Sequence, residues 1–190
     1  MKDFSSLLAV TVTACVTILG WYVANYLTSS RESAARKTEA RKRYIERQIE
    51  ELYGPLFNLT QQLASVRDIR AKILTTKWEL EHKDNDNDEI VEIRRFIRTD
   101  CVHPIFEKME SILTNRLFLL EDNEMPPSFQ KLLRHITQND TQHRLWTVKN
   151  ISTINVEGTP YPDDFPKDVA AALSRLTNEY RVMQGHVDSK

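Results

Sequence analysis

The chain reads as all-α: one N-terminal transmembrane helix followed by a cytoplasmic antiparallel helical bundle with a long, kinked first helix. Three observations carry this. Phe4 to Ser30 forms 27 consecutive residues without a formal charge, long enough to cross a bilayer. Only four glycines occur in 190 residues, and beyond the uncharged run the apolar residues recur at spacings of three and four, the period of a helix face.

The core of the first element, Leu7 to Leu27, makes about 30 Å of helix, the thickness of the hydrocarbon layer. Trp21, Tyr22 and Tyr26 gather near its C-terminal end, where amphipathic rings settle at the headgroup level. A cleaved signal peptide fits less well, because the n-region holds only Lys2 beside Asp3 and the apolar run is too long. A lipoprotein cut at Val12-Thr13-Ala14-Cys15 would leave the apolar arm Val16 to Leu27 at a new N-terminus. Lys2 is the only base before the segment, whereas Arg31, Arg36, Lys37, Arg41, Lys42, Arg43 and Arg47 follow it. The heavier side stays inside, so the N-terminus is expected outside and the rest in the cytoplasm. The chain then divides into 1–30, tail and membrane helix, and 31–190, one cytoplasmic helical domain large enough to bury its own core. On this topology the three glycosylation-type triplets at Asn58, Asn139 and Asn150 meet no glycosylation machinery.

The net charge of −1 hides an asymmetry, because residues 1–50 carry eight bases and five acids while residues 51–190 carry 18 and 22. The distal part is mildly acidic, without a basic patch interleaved with aromatics, and no nucleic-acid partner is expected. Arg36, Lys37, Arg41, Lys42 and Arg43 lie within reach of an anionic lipid surface. The two cysteines, Cys15 and Cys101, build neither a disulfide framework nor a thiolate metal site.

Ser29 with Glu32 predicts a capping box opening a helix, supported by the Glu32/Arg36 and Glu39/Arg43 pairs. Ile45, Ile49, Leu52, Leu56, Leu59, Leu63 and Val66 then form a heptad seam, with Ile69, Ile73 and Trp78 continuing it towards Leu80. The seam passes through Gly54-Pro55, where loss of one backbone hydrogen bond predicts a kink. Lys83 to Glu89 is a polar loop. Asp84, Asp86 and Asp88 alternate as a calcium loop begins, but glycine at position six and glutamate at position twelve are missing; the reading is a solvated turn whose Asp88 caps the next helix. Ile90, Ile93 and Ile97 mark a helix over 89–102, and Pro104 opens another with Phe106, Met109, Leu113, Leu117 and Leu120 inward, the two forming a corner or a hairpin. Phe129, Leu132, Leu133 and Ile136 define a short helix after Pro126-Pro127, and a further turn carries Leu145 and Trp146. Residues 151–156 are read as loop, since a lone strand has no partner. Asp164 and Pro166 open the last helix, with Val169, Leu173, Leu176, Tyr180 and Met183 inward before Gly185; it is expected to pack on the long first helix.

Arg41 to Leu56, with its Tyr53-Gly54-Pro55-Leu56 turn, resembles the start of a loosely defined group of small bacterial membrane-anchored helical proteins. The resemblance implies a bacterial inner-membrane protein, with a prophage or antiviral-defence setting; it supplies no catalytic residues.

No motif dictates a chemistry. The five histidines fall in no ligand spacing; His135 and His143, near Asp140, would form a metal pair only by meeting across a bend. There is no phosphate-binding glycine loop and no nucleophile elbow. No cofactor, metal or enzymatic activity is expected. The expected function is a non-enzymatic, membrane-tethered interaction or sensing module with membrane lipid and an unidentified protein as partners. The alternative is a membrane-perturbing effector or exclusion protein in phage defence that acts as a homo-oligomer. Ala9, Thr13, Thr17, Gly20 and Ala24 would mediate that self-association, since they place small residues on one face of the membrane helix.

Overall fold

The computed structural model describes the backbone of residues 2–81, 88–121, 124–149, 151 and 157–188, and side chains within 17–76, 90–121, 124–149, 151 and 157–185. The elements are α1 (Lys2–Arg47), a π-turn (Gln48–Tyr53), α2 (Gly54–Glu81), α3 (Asp88–Phe96), a second π-turn (Ile97–Val102), α4 (His103–Asn115), a 3-10 turn (Leu117–Leu119), α5 (Pro127–Lys149) and α6 (Asp164–Asp188). All regular structure among the described residues is therefore helical. The aspartates at 84 and 86, the segment 152–156, and the side chains of Ala9, Thr13, Trp78, Leu80, His82 and His186 lie outside the described residues.

Packing divides the chain into two units, Met1–Tyr44 and Ile45–Lys190. In the first, α1 is unbroken through Ser29 and Glu32, so no helix begins there and the capping box is not formed. Thr28 instead turns its hydroxyl back onto the Ala24 carbonyl, 2.9 Å away. Among the described residues no helix is long and apolar enough to cross a membrane; of the Leu7–Leu27 core, the described side chains begin at Thr17.

The second unit is organised by two prolines. In an α-helix a proline ring collides with the carbonyl four residues back and leaves it without a donor. Here each helix widens for one turn just before its proline: the Gly54 N–H bonds the Ile49 carbonyl ahead of Pro55, and the His103 N–H bonds the Arg98 carbonyl ahead of Pro104. Both bonds reach five residues back, the mark of a π-turn. At Gly54 the widened turn brings the Ile49 carbonyl oxygen to 2.6 Å from where a Cβ would stand, so only glycine fits.

One extra residue per turn rotates the apolar stripe by about 100°. Gln48 is consequently buried and Ile49 only half-buried, the reverse of the heptad reading. Leu52, Leu56, Leu59 and Leu63 return to the core as read. The same widening carries α3 straight into α4 instead of turning a corner. Ile69 and Ile73, read as core, are exposed. Leu117 is exposed too, because α4 stops at Asn115 and the 3-10 turn sends Leu119 and Leu120 inward in its place. The short helix read at 129–136 is one helix of 23 residues, including Leu145 and Trp146, and α6 runs through Gly185 without ending there.

Ring and side-chain pairs set the directions. Arg116, just past α4, meets Glu51 at 3.1 Å; His143 and His103 meet with centroids 4.9 Å apart while His135 meets Phe106 at 5.3 Å. α4 thus runs back along α2, and α5 runs back along α4. The Tyr180 hydroxyl donates to Glu46 at 3.2 Å, so α6 ends beside the start of the first helix of this unit and lies antiparallel to it. Phe129 joins the layers, meeting Tyr53 at 6.4 Å and Phe165 at 5.0 Å. Met109, Leu113, Leu132, Val169 and Leu176 are fully buried as well; each such side chain contributes about 1.5–3 kcal/mol.

The link from α4 to α5 is strapped onto the first π-turn. Gln48 donates its amide to the Leu119 carbonyl at 2.7 Å, Glu51 takes Arg47 at 2.9 Å as well as Arg116, and Arg175 grips Glu121 with both guanidinium nitrogens at 3.1 and 2.6 Å.

Candidate functional site

Trp21, Tyr22 and Tyr26 are exposed on α1, as are Arg36, Lys37 and Arg43; Arg41 and Lys42 are half-exposed. Arg36 pairs with Glu32 at 3.6 Å and Arg43 with Glu39, one turn away in each case, and Arg41 lies over the Tyr44 ring. Thr17, Gly20 and Ala24 share one exposed face, and a Cβ on Gly20 would meet nothing within 4 Å. Gly54 and Pro55 sit at the first π-turn, a widening of the helix at the place where the sequence predicts a kink.

The cleft with most chemical character lies in the second unit, where α2, the run from α3 into α4, and α5 converge. Its volume is about 520 Å³, within the range of small-molecule sites. Arg67 and Arg70 enter from α2, three residues apart, and Arg94 and Arg98 from α3 and the second π-turn, four apart. Helical spacing puts each pair on one face, and among the described residues no acidic one lines the cleft. Leu63, Val66, Ile97, Val102 and Phe106 form its apolar wall; His135, Asn139 and Gln142 line it from α5.

A chain of hydrogen bonds fixes that polar side. Arg98 donates to the Asn139 side-chain oxygen Oδ1 at 3.4 Å, and Asn139 donates its side-chain amide to His135 Nε2 at 3.0 Å. His135 Nδ1–H donates to the Thr159 carbonyl at 2.6 Å. These contacts suit a neutral imidazole protonated on Nδ1. Burial, first, and the Arg67 charge hold the His135 pKa below its ordinary value, against the opposing pull of the Thr159 carbonyl. Gln138 completes the tie by accepting from the Thr159 N–H at 2.7 Å and donating to the Glu157 carbonyl at 2.7 Å. The loop before α6 is thereby laid along α5. It delivers Tyr161 against both Phe106 and His135, with the Arg67 guanidinium 4.2 Å from the Tyr161 ring centroid. Burial pushes the Tyr161 hydroxyl up to about 12. Gln142 Nε2 is buried without a hydrogen-bond partner, a donor left for an acceptor to satisfy.

No family model, curated protein or solved structure matches the chain. The chemistry of the cleft must therefore be read from its own residues. Four permanent cations, an unpaired amide donor and an apolar wall suit an anion attached to something apolar. The groups present neither activate a nucleophile nor pair an acid with a base, since His135 spends both ring nitrogens on structure.

His135 and His143 do not meet, because α5 is unbroken and eight residues separate them by about 12 Å. His143 instead meets His103 with the rings tilted by 45°, and His103 lies 3.7 Å from Asp140. Burial, then the charges of His103 and Arg98, lower the His143 pKa. Among the described residues no group of three or more His, Cys, Asp or Glu could hold a metal ion. The arginine cleft has no counterpart in the sequence reading. Its signal was the pair of short arginine spacings, masked by the acidic balance of the surrounding chain.

Proposed function

We propose that the chain is a membrane-tethered, non-enzymatic helical module, held by a single N-terminal pass in a bacterial inner membrane with its C-terminal domain in the cytoplasm. The observation that carries this is the surface of α1. Ile18, Leu19, Trp21, Tyr22, Val23, Tyr26 and Leu27 are exposed on every side of the helix, from 50% at Leu27 to 70% at Trp21. A helix that is apolar all round requires an apolar surrounding, and the uncharged sequence from Phe4 extends the same character towards the N-terminus. The bases from Arg31 onward then act as the stop and the orientation signal. The likeness of residues 41–56 to anchored bacterial proteins supports the setting. The bundle serves as the presenting part: it has a well-filled core, a strapped connection and an open cleft.

Reporter fusions at the C-terminus test the topology. An enzyme reporter active only in the cytoplasm, with the chain retained in membranes after alkaline carbonate extraction, is the expected result. Activity only in the periplasm, or release by carbonate, would overturn the tether.

A further inference from the structure

A second cavity adjoins the arginine cleft. It has a volume of about 560 Å³, and it shares Val66 and Ile97 with the cleft as a common wall. Among the described residues its remaining lining is almost wholly apolar: Ile69 and Ile73 from α2, Ile93 and Phe96 from α3, with Cys101 on the second π-turn and Glu92 as the one charged residue. Ile69 and Phe96 are 55% and 57% exposed. Large apolar side chains gathered in one open groove mark a binding surface, and the residues from Val66 to Ile73 extend it for about 10 Å along α2.

We infer that the two cavities form one site for an anionic amphiphile, a phosphate-headed alkyl or acyl chain. The arginines and the unpartnered Gln142 amide receive the head, and the groove takes the chain. The contiguity selects this occupant. A free inorganic anion leaves the groove uncovered, and a neutral apolar ligand brings no charge to the arginine-lined wall and leaves the buried Gln142 donor unsatisfied. Arginine's planar fork matches phosphate oxygens with paired donors. Phosphate-headed chains reach a protein from two sources, the membrane itself or a soluble acyl or alkyl phosphate. The assignment rests on the second unit alone and stands whether or not the N-terminal helix spans a membrane.

Cys101 lines the groove and is a built-in reporter. In a Cys15→Ser background it is the only thiol of the chain, and its rate of modification by a maleimide can be followed on the full-length protein in phosphatidylcholine nanodiscs. Octyl phosphate should slow the reaction at concentrations at least tenfold below those needed with octanol, and inorganic phosphate should not slow it. Shortening octyl to hexyl phosphate should weaken protection by roughly fourfold per methylene. Arg70→Glu should weaken the octyl phosphate effect at least tenfold, while Arg134→Glu, an equal charge change on an exposed residue of α5 outside the cleft, should leave it unchanged. Replacing part of the phosphatidylcholine by phosphatidylglycerol, with no octyl phosphate, separates the sources: protection that Arg70→Glu abolishes identifies membrane lipid, and protection by octyl phosphate alone identifies a soluble amphiphile. Equal protection by octanol and octyl phosphate, equal behaviour of Arg70→Glu and Arg134→Glu, or no protection in any arm would each overturn the assignment.

Discussion

Two single residues carry constraints that their neighbours do not. Gly54 is held to glycine by a backbone oxygen, not a movable side chain, so adding one methyl group forces the π-turn itself to shift. Gly54→Ala should cost about 1–3 kcal/mol, the usual penalty of overpacking, whereas Gly185→Ala, at a helical position with open space around its Cβ, should be neutral or stabilise by up to about 1 kcal/mol. Urea unfolding monitored by circular dichroism compares the two, and equal midpoints would refute the constraint. His135 carries the second. Its folded-state pKa lies below its unfolded value, so folding favours the neutral ring; that contribution is complete above the unfolded value, about 6.5, and is lost as the pH falls through it. The melting temperature should therefore drop between pH 7.5 and 5.5, and the drop should be shallower in His135→Gln. Some slope should persist in that variant, because His143 is shifted in the same direction. Identical slopes in parent and variant would assign the acid sensitivity elsewhere.

Among the elements, the first π-turn and the strap from Arg116 to Glu121 depend on each other through Gln48. Its amide is the donor to the buried Leu119 carbonyl, so Gln48→Met should leave that carbonyl unpaired at a cost of about 1–3 kcal/mol. Hydrogen exchange should quicken in the strap before it quickens in α5; uniform acceleration would mean that the link is not local. This element also shows what a sequence can disclose. Leu52, Leu56, Leu59 and Leu63 were legible because three-four spacing survives within an α-helical stretch, and Val169 with Leu176 were legible for the same reason. The inward turn of Gln48 was not, because periodicity assumes 3.6 residues per turn and cannot report where a proline inserts an extra one. Arg67, Arg70, Arg94 and Arg98 were each visible as bases, yet their convergence depends on α3 continuing into α4, and the reading at Pro104 was a corner or a hairpin. A site assembled by the direction of a helix stays hidden until that direction is known.

At the level of the whole molecule, the proposed membrane helix, with Thr17, Gly20 and Ala24 on one face, would offer a seam between copies. In lipid, where apolar surface supplies no drive to associate, close backbone approach must do so, and the open space around Gly20 allows it. Gly20→Ile should weaken self-association of the full chain in a membrane reporter assay, and Leu19→Ile, on another face, should not; equal signals from both would exclude this seam. The twin π-turns carry a different consequence, in the arithmetic of insertion and deletion. Each is an α-helix with one residue too many, and each is followed at the same offset by a proline that prevents the surplus from relaxing away. A chain lacking Glu50 would have the residue count of an ordinary helix, yet everything before the gap, Ile45 included, would be turned by about 100° relative to the core. The length of this protein is therefore fixed inside these helices by their packing register, and any lost residue is better absorbed in its surface loops.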